Sequence, residues 1–243
     1  MSRDAQPQRN NLYSALIPAA AILGVLIIIA IGVTWWTNSS QADVSSANSG
    51  QLNSEVMQRF DSEYDKLGVA IGSPDAPITV REFADYQCPA CKAFESTAIK
   101  VREELVASGK VRFIFFDFPL RQHQHALEAA VAARCAGRQD KYWPYSEALY
   151  ANQDEWASTA DPTGTFLDLA VETGVNTQRL KQCIAQQATR AAVESSRDLG
   201  EKIGIRATPT VMVGSHVFSG IVSYDRILNI VEAQTGGDAE SAE

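Results

Sequence analysis

Histidine is scarce in this sequence, and a second cysteine pair of the CxxC type is missing. The 243 residues include three histidines, His123, His125 and His216, and one CxxC motif, which begins at Cys88. A structural zinc site needs four ligands, usually from two CxxC pairs or from a CxxC pair and two histidines. Zinc binding is therefore a minor alternative, and we expect neither a metal nor another cofactor. The HQH stretch at 123–125 is expected to pack or to face solvent.

Positive charge is also in short supply. The chain has 21 Lys and Arg against 29 Asp and Glu, a net charge of −8. Such an acidic balance argues against nucleic acid as a partner and against docking on an anionic lipid surface.

Charge is missing altogether from residues 15–36 (ALIPAAAILGVLIIIAIGVTWW). An apolar run of ~20 residues is long enough to cross a bilayer as a helix. Arg3 and Arg9 precede it and no Lys or Arg follows until after Gln58, so the positive-inside rule places residues 1–14 in the cytoplasm. The sequence thus predicts a single-pass cell-membrane protein with its folded part outside the cytoplasm. The alternative is a cleaved signal peptide with a small-residue site near Ala42, although the run exceeds the usual ~7–15-residue signal core.

Large apolar residues are almost absent from residues 37–54 (TNSSQADVSSANSGQLNS). This composition predicts a flexible tether. Residues 55–66 are mixed and predict a short helix, so the tether and helix together occupy 37–66. The folded domain is expected over 67–233, followed by a disordered tail at 234–243.

The folded part predicts a mixed α/β domain. Strands are expected at 77–86 and 111–118, because both runs are rich in β-branched and aromatic residues. The CxxC motif opens a helix between them that ends near Ala107. Residues from about 123 to 203 show helical spacing throughout, and a β-hairpin and a final helix follow. This order predicts a sheet with helices on both faces and one helical insertion.

The stretch FADYQCPACKAFE carries the candidate chemistry. Cys88 ends a predicted strand at a helix N-terminus, with Pro89 in the first turn. Unpaired amide groups and the helix dipole there favour a thiolate, with a pKa between ~3.5 and ~7.5. Because Ala90 offers no positive or donor group, we expect backbone groups to give most of this help. Cys88 is expected to be the exposed attacking sulfur and Cys91, one helical turn on, the more buried resolving sulfur. The alternatives for this pair of cysteines are a metal-binding site and a purely structural disulfide.

Three segments, EFADYQCPACKAFE, FDFPLRQHQHALEAA and ATPT, make the chain resemble the DsbA-like branch of the thioredoxin superfamily. This branch includes membrane-anchored thiol-disulfide oxidoreductases of bacteria, and the resemblance covers roughly residues 67–233. It implies a thioredoxin-like fold with a helical insertion at about 123–203. It also implies a monomeric extracytoplasmic enzyme that introduces disulfides into unfolded secreted or membrane proteins. A membrane protein of the DsbB or VKOR type would reoxidise it.

The resemblance also implies roles for residues outside the CxxC motif. Thr208-Pro209 matches the family's cis-proline loop, which faces the CxxC motif and binds extended substrate. Thr208 would border the first cysteine and help to set its potential. Glu82 matches a partly buried acid that could move protons to and from Cys91, with Asp85 as a rival. The alternatives are a simple strand-edge proline and a solvated strand-edge carboxylate.

One position departs from the family pattern. Enterobacterial DsbA carries a histidine where this chain has Ala90. A less extreme oxidant, a reductase or an isomerase therefore remains open. A third reading, from another class, is a non-catalytic module that binds a metal or a peptide.

Cys135 and Cys183 lie 48 positions apart in the predicted insertion. Some DsbA-like relatives carry an extra bridge, and an oxidising compartment favours a structural disulfide here over two buried free thiols. Four aromatic residues of the insertion could line a peptide groove, but helical spacing favours a core position. These four are Tyr142, Trp143, Tyr145 and Tyr150.

Overall fold

A five-stranded mixed sheet forms the centre of the fold. The structure is a computed structural model that describes Gly50, Leu52 and residues 54–236. The strands are β1 (Val69–Ile71), β2 (Ile78–Ala84), β3 (Val111–Asp117), β4 (Thr210–Val213) and β5 (His216–Ser219), in the spatial order β1-β3-β2-β4-β5. β2 and β3 are parallel, and the other neighbouring pairs are antiparallel. The predicted α/β class with a mixed sheet is confirmed.

Nine α-helices surround this sheet in the described part of the chain. They are α1 (Ser54–Arg59), α2 (Pro89–Lys100), α3 (Ala126–Gly137), α4 (Tyr142–Ala151), α5 (Gln153–Trp156), α6 (Thr163–Glu172), α7 (Thr177–Ala185), α8 (Arg190–Lys202) and α9 (Tyr224–Gly236). Helices α3 to α8 follow one another between β3 and β4, in the stretch where a helical insertion was predicted.

The sheet buries both faces, because successive side chains of a strand point to opposite sides. In β3, Phe113 and Phe115 belong to the larger hydrophobic cluster, which includes residues of α2 and α9. Ile114 and Phe116 belong to the smaller cluster, which includes residues of α8. Burial on both sides explains why this strand is apolar throughout. Helices on both faces of the sheet were predicted and are present.

Several boundaries differ from the predicted ones. The edge strand β1 was not predicted, because three residues flanked by glycines give too short a pattern to recognise. Helix α2 does not continue regularly to Ala107, since Val101–Val106 form a π-helical turn. The predicted short helix at 55–66 is α1 followed by π-helical and 3₁₀ turns that end at Leu67. Helix α9 continues through Gly236, into the predicted disordered tail.

Parts of the predicted organisation lie outside the described residues. These are the cytoplasmic segment 1–14, the membrane anchor 15–36, most of the tether and the tail from residue 237 onward. Among the residues that the structure describes, no helix combines the length and the hydropathy needed to span a bilayer. Gly50 and Leu52, at the end of the tether, form backbone hydrogen bonds with Val217 and Ser215 of the β4–β5 hairpin.

Candidate active site

The two CxxC cysteines lie where β2 gives way to α2. Cys88 is the N-cap residue of α2, with extended backbone angles, and Pro89 occupies the first turn, where its missing N–H costs no hydrogen bond. Cys91 lies one turn further on. Both cysteines are free thiols. Cys88 is 8% exposed and Cys91 is 0% exposed, so the predicted order of burial is present, but the expectation of an exposed Cys88 is wrong.

The Cys88 sulfur is strongly acidic for a thiol. Its pKa is lowered from 9.0 to about 5. The largest cause is the hydrogen bond from the Cys91 side chain. Partial burial acts in the opposite direction and raises the pKa. The Thr208 side chain and the backbone N–H groups of Cys91 and Ala90 lower the pKa further. The expectation that backbone groups dominate is therefore wrong. The missing donor at Ala90 is compensated mainly by the neighbouring thiol.

Cys91 is the opposite kind of sulfur. Its pKa is raised, first because burial disfavours a charged sulfur, and then because its proton is donated to Cys88 and because negative charge on Glu82 or Cys88 would repel a Cys91 thiolate. One hydrogen bond thus holds Cys88 ionised and Cys91 protonated. The pair is chemically asymmetric before any substrate arrives.

Glu82 lies on the same side of the sheet as Cys91. It follows Val80 by two positions in β2, so it points into the larger hydrophobic cluster. Its side chain is 0% exposed, and neither carboxyl oxygen has a hydrogen-bond partner among the described residues. Burial raises its pKa well above the usual range, the negative Glu95 raises it further, and Arg102 lowers it. The alternative of a solvated strand-edge carboxylate is wrong.

Asp85 is buried too, but both of its carboxylate oxygens have hydrogen-bond partners. Its carboxylate accepts hydrogen bonds from the backbone N–H groups of Gln87 (2.7 Å) and Leu120 (2.8 Å), and His123 Nδ1 lies 2.7 Å away. Burial raises its pKa, and these partners oppose the rise. Asp85 thus joins the loop before the CxxC motif to the loop after β3. Glu82 differs from Asp85 in that neither of its carboxyl oxygens has a hydrogen-bond partner among the described residues.

The loop before β4 closes the site from the other side. The Thr208–Pro209 peptide bond is cis, the geometry that the resemblance implied. The Thr208 carbonyl oxygen lies 3.5 Å from Cys88 Sγ and accepts from the thiol form. The Pro209 carbonyl oxygen accepts from the backbone N–H of Gly220 at 2.7 Å, so this loop is tied to the segment that follows β5.

The helical insertion holds the active-site backbone through amide side chains. Gln153 of α5 is buried, and its Nε2 donates to the carbonyl oxygens of Tyr86 (2.6 Å) and Cys88 (3.0 Å). Gln87 Nε2 donates to the Ala157 carbonyl oxygen at 2.9 Å. Sequence reasoning missed both glutamines, because neither was part of a recognised motif and the acceptors of their amide nitrogens lie 65 or more positions away. No signal in a single sequence could have found them.

The other predicted pair forms a covalent bridge. Cys135 of α3 and Cys183 of α7 form a disulfide with an S–S distance of 2.02 Å. This bond links two helices of the insertion, and the structure does not bring it into the CxxC site.

The four aromatic residues of α4 lie in the hydrophobic core, as their helical spacing predicted. Tyr142, Tyr145 and Tyr150 are buried, and Trp143 packs against the larger cluster. The Tyr145 hydroxyl donates to the Phe166 carbonyl oxygen at 2.8 Å.

The histidines do not assemble a metal site in the described part of the chain, where no group of three or more potential ligands is found. His123 contacts Asp85. His125 Nε2 lies 2.8 Å from the Thr159 carbonyl oxygen, and its Nδ1 lies 3.1 Å from Glu128.

Comparison with known proteins agrees with this geometry. A family model described as Thioredoxin matches residues 64–233, which is most of the chain. The chain belongs to the thioredoxin superfamily. Disulfide bond formation protein D of Bacillus subtilis (strain 168) is 32% identical over 171 residues, covering 69% of this chain and 77% of that protein. The Bacillus cereus protein named probable disulfide bond formation protein D is 29% identical over 157 residues, covering 61% and 70%.

Solved structures of other proteins are similar to this chain in fold. The crystal structure of oxidised BdbD from Bacillus subtilis has a TM-score of 0.62 at 31% identity, over 70% of this chain and 93% of that chain. Wolbachia pipientis alpha-DsbA1 has a TM-score of 0.64 at 23% identity, over 74% and 100%, a likeness of fold alone. This DsbA-like thioredoxin-superfamily protein is a thiol-disulfide oxidoreductase.

Proposed function

We propose that this oxidoreductase oxidises protein thiols outside the cytoplasm through Cys88 and Cys91. The observation that carries the direction is the Cys88 pKa of about 5 beside a protonated Cys91. A stabilised thiolate favours the reduced enzyme over its disulfide, so the disulfide gives up its oxidising equivalents readily, by ~30 mV for each ~1.4 kcal/mol. The names of the Bacillus relatives, which refer to disulfide bond formation, support the same direction.

The proposed reaction begins with the Cys88–Cys91 disulfide. A client thiolate attacks the Cys88 sulfur, the S–S bond breaks, and Cys91 leaves with the electron pair. Glu82 gives the departing Cys91 sulfur a proton, because both groups are buried on the same side of the sheet and Glu82 is held protonated. The product is a mixed disulfide between Cys88 and the client.

A second client thiolate then attacks the client sulfur of the mixed disulfide. Cys88 leaves as the thiolate that its surroundings stabilise, and the client is left with a disulfide. Two electrons have moved from client to enzyme. Thr208 and Pro209 border the Cys88 sulfur, and we assign to them the alignment of an extended client backbone. The Cys135–Cys183 bond is assigned a structural role.

The enzyme must be reoxidised after each turnover. We propose a membrane protein of the DsbB or VKOR type as the oxidant, and residues 15–36 as an uncleaved membrane anchor with the active site on the extracytoplasmic side. The charge-free length of this segment and the arginines before it support that arrangement. The clients are unfolded secreted or membrane proteins, and the enzyme acts as a monomer.

Redox titration of the purified full chain against glutathione tests the direction. A potential near the ~−120 mV of DsbA is expected, and one near the ~−270 mV of thioredoxin would contradict an oxidase and favour a reductase. Oxidative refolding of a reduced client is the second readout. The Cys88→Ser variant should lose this activity, and retention of activity would contradict the assignment.

A further inference from the structure

A cavity of about 470 Å³ opens beside the active site, between the loop after β3, the last turns of α8 and the segment that leads into β4. Three arginines line it, one from each of these segments: Arg121, Arg197 and Arg206. Glu201 is the one acidic residue of the lining, and Phe118 and Ile205 supply apolar surface. We call this cavity the arginine pocket. Positive charge of this density is unexpected in a chain whose net charge is −8.

The guanidinium groups of the arginine pocket are only loosely paired. Glu201 lies 3.6 Å from Arg121 and 3.9 Å from Arg197, both longer than a hydrogen bond. Arg197 is also 3.7 Å from the exposed Asp198, and its buried Nε donates no hydrogen bond among the described residues. Arg206 Nη1 donates to the backbone carbonyl oxygens of Glu201 and Ile205 at 3.4 and 3.2 Å. The lining therefore contains three cations and one carboxylate, and the carboxylate lies near Arg121 and Arg197.

Two connections, one through a hydrogen bond and one along the chain, place the arginine pocket close to the reacting sulfur. Leu120, which also lines the pocket, donates its backbone N–H to Asp85, three positions before Cys88. Arg206 precedes Thr208 by two positions, and the Thr208 carbonyl oxygen lies 3.5 Å from Cys88 Sγ. Two residues of extended chain span at most ~7 Å. A client bound at the sulfur could therefore reach the pocket with a side chain a few residues away.

We propose that the arginine pocket binds carboxylate side chains of the client protein close to the cysteine under attack. This inference rests on the proposed function. A planar guanidinium matches a carboxylate with two parallel hydrogen bonds, and the guanidinium groups of Arg197 and Arg206, which line the cavity, provide them. The apolar surface of Phe118 and Ile205 accepts the methylene groups of the same side chain. Clients with Glu or Asp near a cysteine are thereby selected over neutral ones.

The test compares two peptides that each contain a pair of cysteines and differ only in a Glu-Glu or a Gln-Gln step beside the first cysteine. Oxidation by the disulfide form of the full chain is followed at low ionic strength. We expect the Glu peptide to react about three- to tenfold faster, as one or two partly exposed ion pairs allow. In Arg197→Gln and Arg206→Gln this preference should fall towards one.

Two further variants make the test specific. Arg179→Gln removes one positive charge from an exposed position of α7 and should keep the preference. Glu201→Gln removes the competing carboxylate and should increase it. A preference of one in the unaltered protein, or a preference that survives both arginine substitutions, overturns the proposal.

Failure of the proposed function would be distinguishable from failure of the pocket. If neither peptide is oxidised, the oxidase assignment fails. Binding of the same peptides with serine in place of cysteine, measured by calorimetry, then still tests the pocket. Tighter binding of the Glu peptide that is lost in Arg206→Gln supports the pocket, and equal affinities for the two peptides refute it.

Discussion

The hydrogen bond from Cys91 to Cys88 gives the sharpest test of the active-site geometry. It is the largest cause of the lowered Cys88 pKa, ahead of the Thr208 side chain and the backbone N–H groups. In Cys91→Ala the donor is lost, and in Cys91→Ser an O–H group takes its place. The two variants remove the same resolving sulfur, so they differ in the donor alone.

The expected size of the effect follows from the charge on the acceptor. A hydrogen bond to a charged group contributes ~1.5–3 kcal/mol, and one pKa unit corresponds to ~1.36 kcal/mol. Loss of the donor in Cys91→Ala should therefore raise the Cys88 pKa by about one to two units from its value of about 5. Cys91→Ser should keep the low value. At pH 7 a thiol of pKa 5 is about 99% ionised, against about 3% for a free cysteine of pKa ~8.5.

The assay is the rate of alkylation of Cys88 by iodoacetamide from pH 3 to pH 9. Only the thiolate reacts, so the midpoint of the profile reports the pKa. We expect a midpoint near 5 for Cys91→Ser and a clearly higher one for Cys91→Ala. Coincident profiles for the two variants would show that the donor is not what lowers the pKa. A midpoint above 7 for Cys91→Ser would refute the acidic sulfur on which the proposed direction depends.

Three further perturbations separate the roles of other residues. Glu82→Gln should slow the steps that move a proton at the resolving cysteine by about 100-fold, which is the lower part of the range for general acid–base catalysis. The alkylation profile of the first cysteine should stay unchanged. Unchanged exchange kinetics would show that Glu82 takes no part in the reaction. The double variant Cys135→Ala, Cys183→Ala should have a free energy of unfolding in urea that is lower by ~4 kcal/mol in the chain-entropy model, and its thiol-exchange rate should be unchanged. Loss of exchange activity in a folded double variant would contradict a structural role. Gln153→Ala removes a donor from two buried carbonyl oxygens, so it should lower the free energy of unfolding by ~1–3 kcal/mol and shift the alkylation profile of the first cysteine. Gln186→Ala, at an exposed position, is the control. A loss of stability with an unchanged alkylation profile would show that Gln153 has a structural role only.

The central strands and the CxxC helix could be predicted from the sequence because their signals are local. The run VRFIFFD marks a strand buried on both faces, and Pro89 marks the first turn of α2. The turn of the last hairpin is marked by Gly214, whose φ of +54° suits glycine. β1 has no such signal, since three residues at a sheet edge are recognised only through their pairing with β3.

The candidate site was predictable only in part, because its energetics depend on contacts distant in sequence. The alternation of β2 places Glu82 on one face with Val80, but a charged residue in a strand is also compatible with solvent exposure. Glu82 is removed from water by the larger hydrophobic cluster, which includes residues of α2 and α4. The acidity of Cys88 was attributed to the helix N-terminus, whereas the Cys91 side chain contributes more to the lowering of its pKa.

The unequal sulfurs explain why a buried acid is useful here. A thiolate formed at Cys91 would lie in an apolar environment that raises its pKa, so its departure from a disulfide is costly unless a proton arrives as the bond breaks. Glu82 is buried on the same side of the sheet, and the same burial raises its pKa and so favours its protonated form. Cys88 needs no proton, because its thiolate is stable on leaving the mixed disulfide. In the proposed mechanism, the apolar cluster around Cys91 therefore sets which sulfur bonds to the client and which requires a proton donor.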